Sequence, residues 1–375
     1  MKKLKIGIDV RTAAGEKDGK GWYTFLLVEN LLKLDNYNEY ILYTKAGIPA
    51  FAEYKNAQQK IIESSNLLWH QKVKKNSIKE DVDVFFAPSS YIIPSILPKK
   101  IKSIVTVHDL VALLYPKNHS KKAVLVEKLL LKKVVKKSAK ILTVSKNTKA
   151  DLLNKFDMGE DKIDVIYCSA SNSFKELETE NLINYQKQNQ IPSKFFLAVG
   201  TVIPRKNYQK LVQAFALVHK TYPEYHLLIV GKEGWGTEKV LDEVEKNYLD
   251  KHVHFLDYVS QSGLINLYNL ATAFVFPSLY EGFGIPPLEA MKCGCPVIAS
   301  NRSSVPEVVG KAAILVDPND QNGIAQAMKK FITDAMLRES FREKGLKQAQ
   351  NFSWRKSAEK LLEIINTFRQ QTLLD

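Results

Sequence analysis

The sequence predicts two doubly wound α/β domains, and three observations carry the prediction. A chain of 375 residues, 45% apolar and 25% charged, exceeds what one core holds, since single cores stop growing near ~250 to 300 residues. Short β-rich apolar runs alternate with longer helical patterns along most of its length. Those runs are continuously apolar rather than alternating, as expected of strands buried on both faces of a parallel sheet.

In the first half the runs are KIGIDV (5–10), YILYT (40–44), KIIES (60–64), VDVFFAP (82–88), KSIVTVHDL (102–110), KILTVS (140–145) and KIDVIYC (162–168). In the second they are FFLAVG (195–200), HLLIVG (226–231), VHFLDY (253–258), AFVFPS (273–278), PVIAS (296–300) and AILVD (313–317). Between the halves, SASNSFKELETENLINYQKQNQIPSK (169–194) is polar and reads as a linker. This gives an N-terminal domain over 1–185, a C-terminal domain over 186–355, and a last segment, 356–375. In SWRKSAEKLLEIINTFRQ (353–370), Leu361, Ile364, Ile365 and Phe368 share one helical face able to pack on either domain, including back on the first.

Bulk properties restrict the function. No apolar run is long enough to cross a membrane and the N-terminus has no signal pattern, so a cytosolic location is expected. Three cysteines make no disulfide framework, and Cys293-Gly-Cys295 lacks the second pair of a zinc site; no metal is expected. The net charge of +14 fits nucleic acid, an anionic surface, a phosphorylated substrate or a global lysine bias. Only 7 of the 54 cationic residues are arginine, the better fork for phosphates and bases, which disfavours nucleic acid.

Open parallel sheets bind ligands beyond the carboxyl ends of their strands, so the strand-to-helix loops are the places to look. After the first strand come Gly15, Gly19 and Gly21, just before a helical pattern, where backbone N–H groups can approach a phosphate; loops also contain glycine for no such reason. After IVTV come His108 and Asp109, and after FFLAVG come Arg205 and Lys206, two cations suited to a diphosphate; on charge alone such a pair is more often a solvated loop, and a lone histidine more often structural. In SLYEGFGIPPLEAMKCGCP (278–296), Pro286 or Pro287 opens a helix that stops near Gly294. Glu281 then lies in the loop before that helix and Glu289 in or beside its first turn. There Glu289 either complements the helix dipole or accepts two adjacent ribose hydroxyls. Gly282, Phe283, Gly284 and Ile285 lie between the two acids and offer backbone donors.

EGFGIPPLEA, TVIPRKN, VHDL and SVPEVVGKAAILVDP together resemble the retaining, nucleotide-sugar-dependent glycosyltransferases of family four, over nearly the whole chain. The resemblance implies the GT-B fold, two facing Rossmann-like domains with an interdomain cleft. It implies that Glu289 binds the donor ribose and that Glu281 holds donor-sugar hydroxyls with the backbone of Gly282, Phe283, Gly284 and Ile285. Arg205 and Lys206 would neutralise the diphosphate, and His108 would contact the sugar near its reacting carbon. Gly19 or Gly21 would let the first loop approach phosphate, and the backbone around Val259 would contact the base. No cofactor is implied beyond the nucleotide diphosphate sugar, with GDP-mannose ahead of UDP-glucose because IPPLEAM looks most like mannosyl-type relatives.

One departure is Trp22, which stands where many relatives have an arginine. A nucleotide-sugar isomerase of the same fold is the alternative enzyme, although the spaced acids suit it poorly. KKAVLVEKLLLKKVVKKSAK (121–140) is a basic amphipathic helix, either an ordinary surface helix or a contact with an anionic membrane bearing a lipid-linked glycan acceptor.

Overall fold

The computed structural model describes residues 3–116, 121–257 and 259–371. The chain forms two compact units: residues 1–168 with 353–375, and residues 169–352.

The first unit holds a seven-stranded parallel sheet in the order β3-β2-β1-β4-β5-β6-β7. Its strands are β1 (Lys5–Asp9), β2 (Glu39–Thr44), β3 (Ala57–Ile61), β4 (Val84–Ala87), β5 (Lys102–Val107), β6 (Lys140–Thr143) and β7 (Ile163–Val165). The second unit holds a six-stranded parallel sheet, β10-β9-β8-β11-β12-β13. These strands are β8 (Phe195–Val199), β9 (His226–Val230), β10 (Val253–Leu256), β11 (Ala273–Phe276), β12 (Val297–Ser300) and β13 (Ala313–Val316). Each sheet is thus a doubly wound α/β sheet, as expected. The central strands are buried along nearly their whole length, which is why they read as continuous apolar runs.

One strand departs from its expected position. KIIES was expected over 60–64, whereas β3 occupies Ala57–Ile61 and pairs Tyr40 with Ala57 through Thr44 with Ile61. It is an edge strand, none of whose residues is fully buried, so hydrophobicity marks it poorly and pairing with β2 decides its register.

The division between units falls at Ser169, earlier than the expected 186. The polar segment is tied to the second unit by hydrogen bonds that its composition did not reveal. Leu177 N–H donates to Asn269 Oδ1 at 2.9 Å, Lys292 Nζ to the Ala170 carbonyl at 2.9 Å, and Arg342 pairs with Glu176 at 2.6 Å. The C-terminal helix Trp354–Gln371 clusters with the first unit. Leu361, Ile364, Ile365 and Phe368 are all buried, Trp354 stacks edge-on against Tyr23, and Ser357 Oγ donates to the Tyr167 carbonyl at 2.6 Å.

Candidate active site

The residues singled out in the second half gather at the carboxyl edge of the second sheet. Beyond β8 the chain makes a 3-10 turn, Pro204–Lys206, opened by its proline and closed by Asn207 at φ +61°. Asn207 Nδ2 donates to the carbonyls of Pro277 and Pro318, and Leu279 N–H donates to the Arg205 carbonyl at 2.8 Å. The loop after β8 is thereby fastened to the loop after β11.

Arg205 and Lys206 converge on Glu281. Arg205 Nη1 lies 2.6 Å from Glu281 Oε2, and Lys206 Nζ lies 2.7 Å from Oε1. All three side chains are largely buried. Arg205 also donates to the Tyr280 carbonyl. Burial alone would raise the Glu281 pKa, but the charges and hydrogen bonds of Lys206 and Arg205 outweigh it and hold the carboxyl at about 2. Burial lowers the Lys206 pKa, against the opposing pull of Glu281. The cluster is two cations on one carboxylate, a net +1 in a largely buried setting. Sequence spacing treats the acid and the cations as separate binding groups; the fold makes them one unit.

The loop from Glu281 to Gly284 is held by two serines that sequence reasoning missed. Ser303 Oγ accepts from Glu281 N–H at 2.9 Å, and Ser304 Oγ donates to the carbonyls of Glu281 and Phe283. Their only sequence signal is their place after β12, another carboxyl end. The Phe283 ring is buried edge-on against Phe352, so this residue offers a ligand its backbone alone. Gly284, at φ +98°, is the N-cap of the helix Ile285–Lys292, a conformation that favours glycine. Gly284 supplies no side-chain cap, so Ile285 and its neighbours lie among the N–H groups that an α-helix leaves without intrahelical partners. Gly282 lies in the same half-turn of loop.

Of the two expected placements, Glu289 takes the one beside the first turn. The helix begins at Ile285, so Glu289 stands one turn in and the first turn carries no acid. The dipole reading therefore lapses, because that effect fades beyond the first turn. The carboxylate instead accepts from Tyr268 Oη at 3.1 Å. Desolvation raises its pKa to about 7, with Tyr268 and Lys206 pulling the other way. Val259 is partly buried just before the N-cap Ser260 of the helix Gln261–Leu270, the helix that carries Tyr268. Tyr258, beside it, lies outside the described residues.

The first unit carries the remaining candidates. His108 follows β5, and its Nε2 lies 2.7 Å from the Pro88 carbonyl, which can only accept; the ring therefore carries its proton on Nε2. Burial, and after it the nearby Lys20, lowers its pKa to about 4, so the imidazole is neutral at physiological pH. Its ring lies edge-on against Tyr23 at 4.7 Å. Gly19 begins the helix Gly19–Leu34, capped by Asp18 through Gly21 N–H at 2.8 Å. A Cβ on Gly21 would lie 2.5 Å from the Thr12 carbonyl, so packing against the preceding turn requires this glycine. A Cβ on Gly19 would meet nothing within 4 Å, so packing does not require a glycine there. Trp22, at the departure, is 39% exposed with Lys17 Nζ over its ring. All three cysteines are buried thiols, and Cys293 is the C-cap of the helix that Gly284 starts.

Two parallel α/β units, the second with a carboxylate–cation cluster beside a helix start, define a glycosyltransferase of the GT-B fold class. The model for "Glycosyl transferases group 1" matches residues 183–348, and that for "Glycosyltransferase Family 4" matches 41–171. The chain is 33% identical over 301 residues to the O-antigen chain mannosyltransferase B of Escherichia coli, covering 79% of this chain and 77% of that protein. It is 34% identical over 238 residues to the O-antigen chain mannosyltransferase RfbU of Salmonella typhimurium, covering 62% of each. The crystal structure of Anabaena Alr3699/HepE in complex with UDP and glucose shares the fold, with a TM-score of 0.78 at 16% identity over 97% of this chain and 100% of that one. The chain belongs to the family-four, group 1 glycosyltransferases.

Proposed function

We propose that the protein transfers a hexose, with retention of configuration, from a nucleoside diphosphate sugar to a glycan or lipid-linked acceptor in cell-surface polysaccharide assembly. GDP-mannose is the favoured donor and UDP-glucose the second. The observation that carries the reading is the buried Glu281–Arg205–Lys206 cluster beside the helix start at Ile285. The names of the two bacterial relatives, both O-antigen mannosyltransferases, support the favoured sugar and the acceptor class.

Breaking the anomeric C–O bond gives an oxocarbenium-like sugar and a diphosphate with growing negative charge. Arg205, Lys206 and the N–H groups of the helix start stabilise that charge; such preorganised donors are worth roughly 3 to 4 kcal/mol each, so this reading needs no metal. Glu281 keeps both cations in place and orients sugar hydroxyls. A leaving phosphate oxygen takes the acceptor hydroxyl's proton while the acceptor oxygen bonds to the anomeric carbon on the same face. Glu289, positioned by Tyr268, accepts the ribose hydroxyls, and the backbone at Val259 meets the base. Neutral His108 and the helix start at Gly19 serve the reacting sugar and phosphate from the first unit.

The basic helix supports a membrane contact. In Lys121–Lys137, Leu131, Val134 and Val135 are buried, while Leu125 is 57% and Leu129 61% exposed among exposed Lys128, Lys132, Lys133 and Lys136. Exposed leucines within a cationic face suit an anionic bilayer surface, where each lysine adds about 1 kcal/mol. Among the described residues no helix is long and apolar enough to cross a membrane.

A panel of nucleotide sugars, read by thermal shift and by release of nucleoside diphosphate, tests the donor reading. GDP-mannose should raise the melting temperature most. Stabilisation by no GDP- or UDP-sugar would sink it.

A further inference from the structure

The two sheets share a feature that the donor site uses in the second unit alone. β1 and β8 hold the same place in their sheets, each between the next strand in the chain and the first strand after the crossover. Each is followed by a 3-10 turn carrying an arginine, Arg11–Ala13 in the first unit and Pro204–Lys206 in the second. Each arginine pairs with a buried carboxylate at the carboxyl edge, Arg205 with Glu281 and Arg11 with Asp9. In a chain with only 7 arginines among 54 cationic residues, this correspondence is specific.

The Arg11 guanidinium is held on two sides. Nε donates to Asp9 Oδ1 and Nη2 to Oδ2, both at 3.1 Å, and Cζ sits 3.9 Å above the centre of the fully buried Trp69 ring. Nη1 has no hydrogen-bond partner among the described residues, and the side chain is 18% exposed. Beside it, Thr12 Oγ1 bonds to Thr24 Oγ1 and Ser89 Oγ, and Ser89 follows Pro88, whose carbonyl holds His108. One network thus links the turn of Arg11 to the loop of His108. Charge separates the two arginine sites. The Arg205 cluster carries a net +1 and suits a diphosphate, whereas the Arg11–Asp9 pair is neutral and suits a ligand rich in hydroxyls and poor in charge.

We propose that Arg11 is the acceptor-binding residue of the first unit, donating from Nη1 to hydroxyls of a neutral acceptor sugar, with Thr12 and Ser89 as neighbouring hydroxyl contacts. The proposal rests on the glycosyltransfer reading above. Asp9 and Trp69 preorganise the fork, so few rotamers are lost when the sugar binds.

Ligand-observed saturation-transfer NMR with methyl α-glycosides of mannose, glucose, galactose and N-acetylglucosamine tests it on the full chain. At least one should bind the wild type, and Arg11→Gln should weaken that binding about tenfold or more while the thermal shift by GDP or UDP is unchanged. Arg11→Lys keeps the charge and loses the planar fork, so it should weaken binding nearly as much. No glycoside binding to wild type, or equal binding by either folded variant, overturns the proposal. If Arg11→Gln fails to fold, the folded lysine variant decides. Absence of any shift by GDP or UDP, with glycoside binding intact, would count against the donor reading alone.

Discussion

The carboxyl edges of the two sheets carry one device with two different charge balances. In the second unit two cations close on Glu281, leaving excess positive charge in a buried setting. In the first, one cation closes on Asp9 and leaves none. The same backbone position, a 3-10 turn after the equivalent strand, thus carries an ion cluster of net positive charge in one unit and a neutral pair in the other; on the readings proposed above, the first would meet a charged leaving group and the second neutral hydroxyls. A carboxylate at each site keeps a buried cation in place before any ligand arrives, because an unpaired buried charge is costly.

The comparison breaks most decisively at Lys206 and Glu281. Lys206→Ala or Glu281→Ala should lower turnover by about 10²- to 10³-fold, measured as nucleoside diphosphate release, with the circular dichroism spectrum retained. Near-normal rates in either would remove the site assignment. Glu281→Gln should part binding from chemistry. It releases both cations from their internal anion, so free GDP or UDP should bind about tenfold more tightly by calorimetry while transfer falls. Unchanged nucleotide affinity would show that the pairs are not exchanged for phosphate.

The two acids should also respond to pH with opposite sign. The Glu281 pKa, about 2, lies below the ordinary value of 4.5, so its contribution to stability is complete above 4.5 and is lost as pH falls towards 2. The Glu289 pKa, about 7, lies above 4.5; its contribution is present below 4.5 and lost as pH rises through 7. If Glu289 binds the ribose as a carboxylate, nucleotide affinity should fall several-fold between pH 8 and about 6, and Glu289→Gln should flatten that profile. A profile identical in the variant would assign the ionisation elsewhere. The smallest effect belongs to the basic helix. Leu125→Ser with Leu129→Ser should reduce sedimentation with phosphatidylserine liposomes by a few-fold, leaving donor binding untouched. Equal sedimentation would leave only the lysines to explain any membrane contact.

Much of this was legible in the chain. Strands buried on both faces read as continuous apolar runs, so all but one of the strands fell where expected, and the helix after Gly284 was marked by its prolines and its stop at Gly294. Glycine spacing also marked the start of the first helix, although packing against Thr12, rather than ligand approach, explains Gly21. The edge strand β3 and the attachment of 169–194 to the second unit were not legible, because exposed elements are placed by partners rather than by their own hydrophobicity.

By itself, then, the sequence determined the local features: apolar continuity, turn chemistry and the residue types at strand ends. Tertiary structure decided which of those residues meet. Glu281 lies 75 positions from Lys206, and only the adjacency of β8 and β11 brings them within 2.7 Å. Burial would raise the pKa of both acids; Lys206 and Arg205 reverse that shift at Glu281, whereas the Tyr268 hydroxyl and the charge of Lys206 leave Glu289 raised, so the two shift in opposite directions. The equivalence of Arg11 and Arg205 is likewise a matter of strand order, which local composition does not encode.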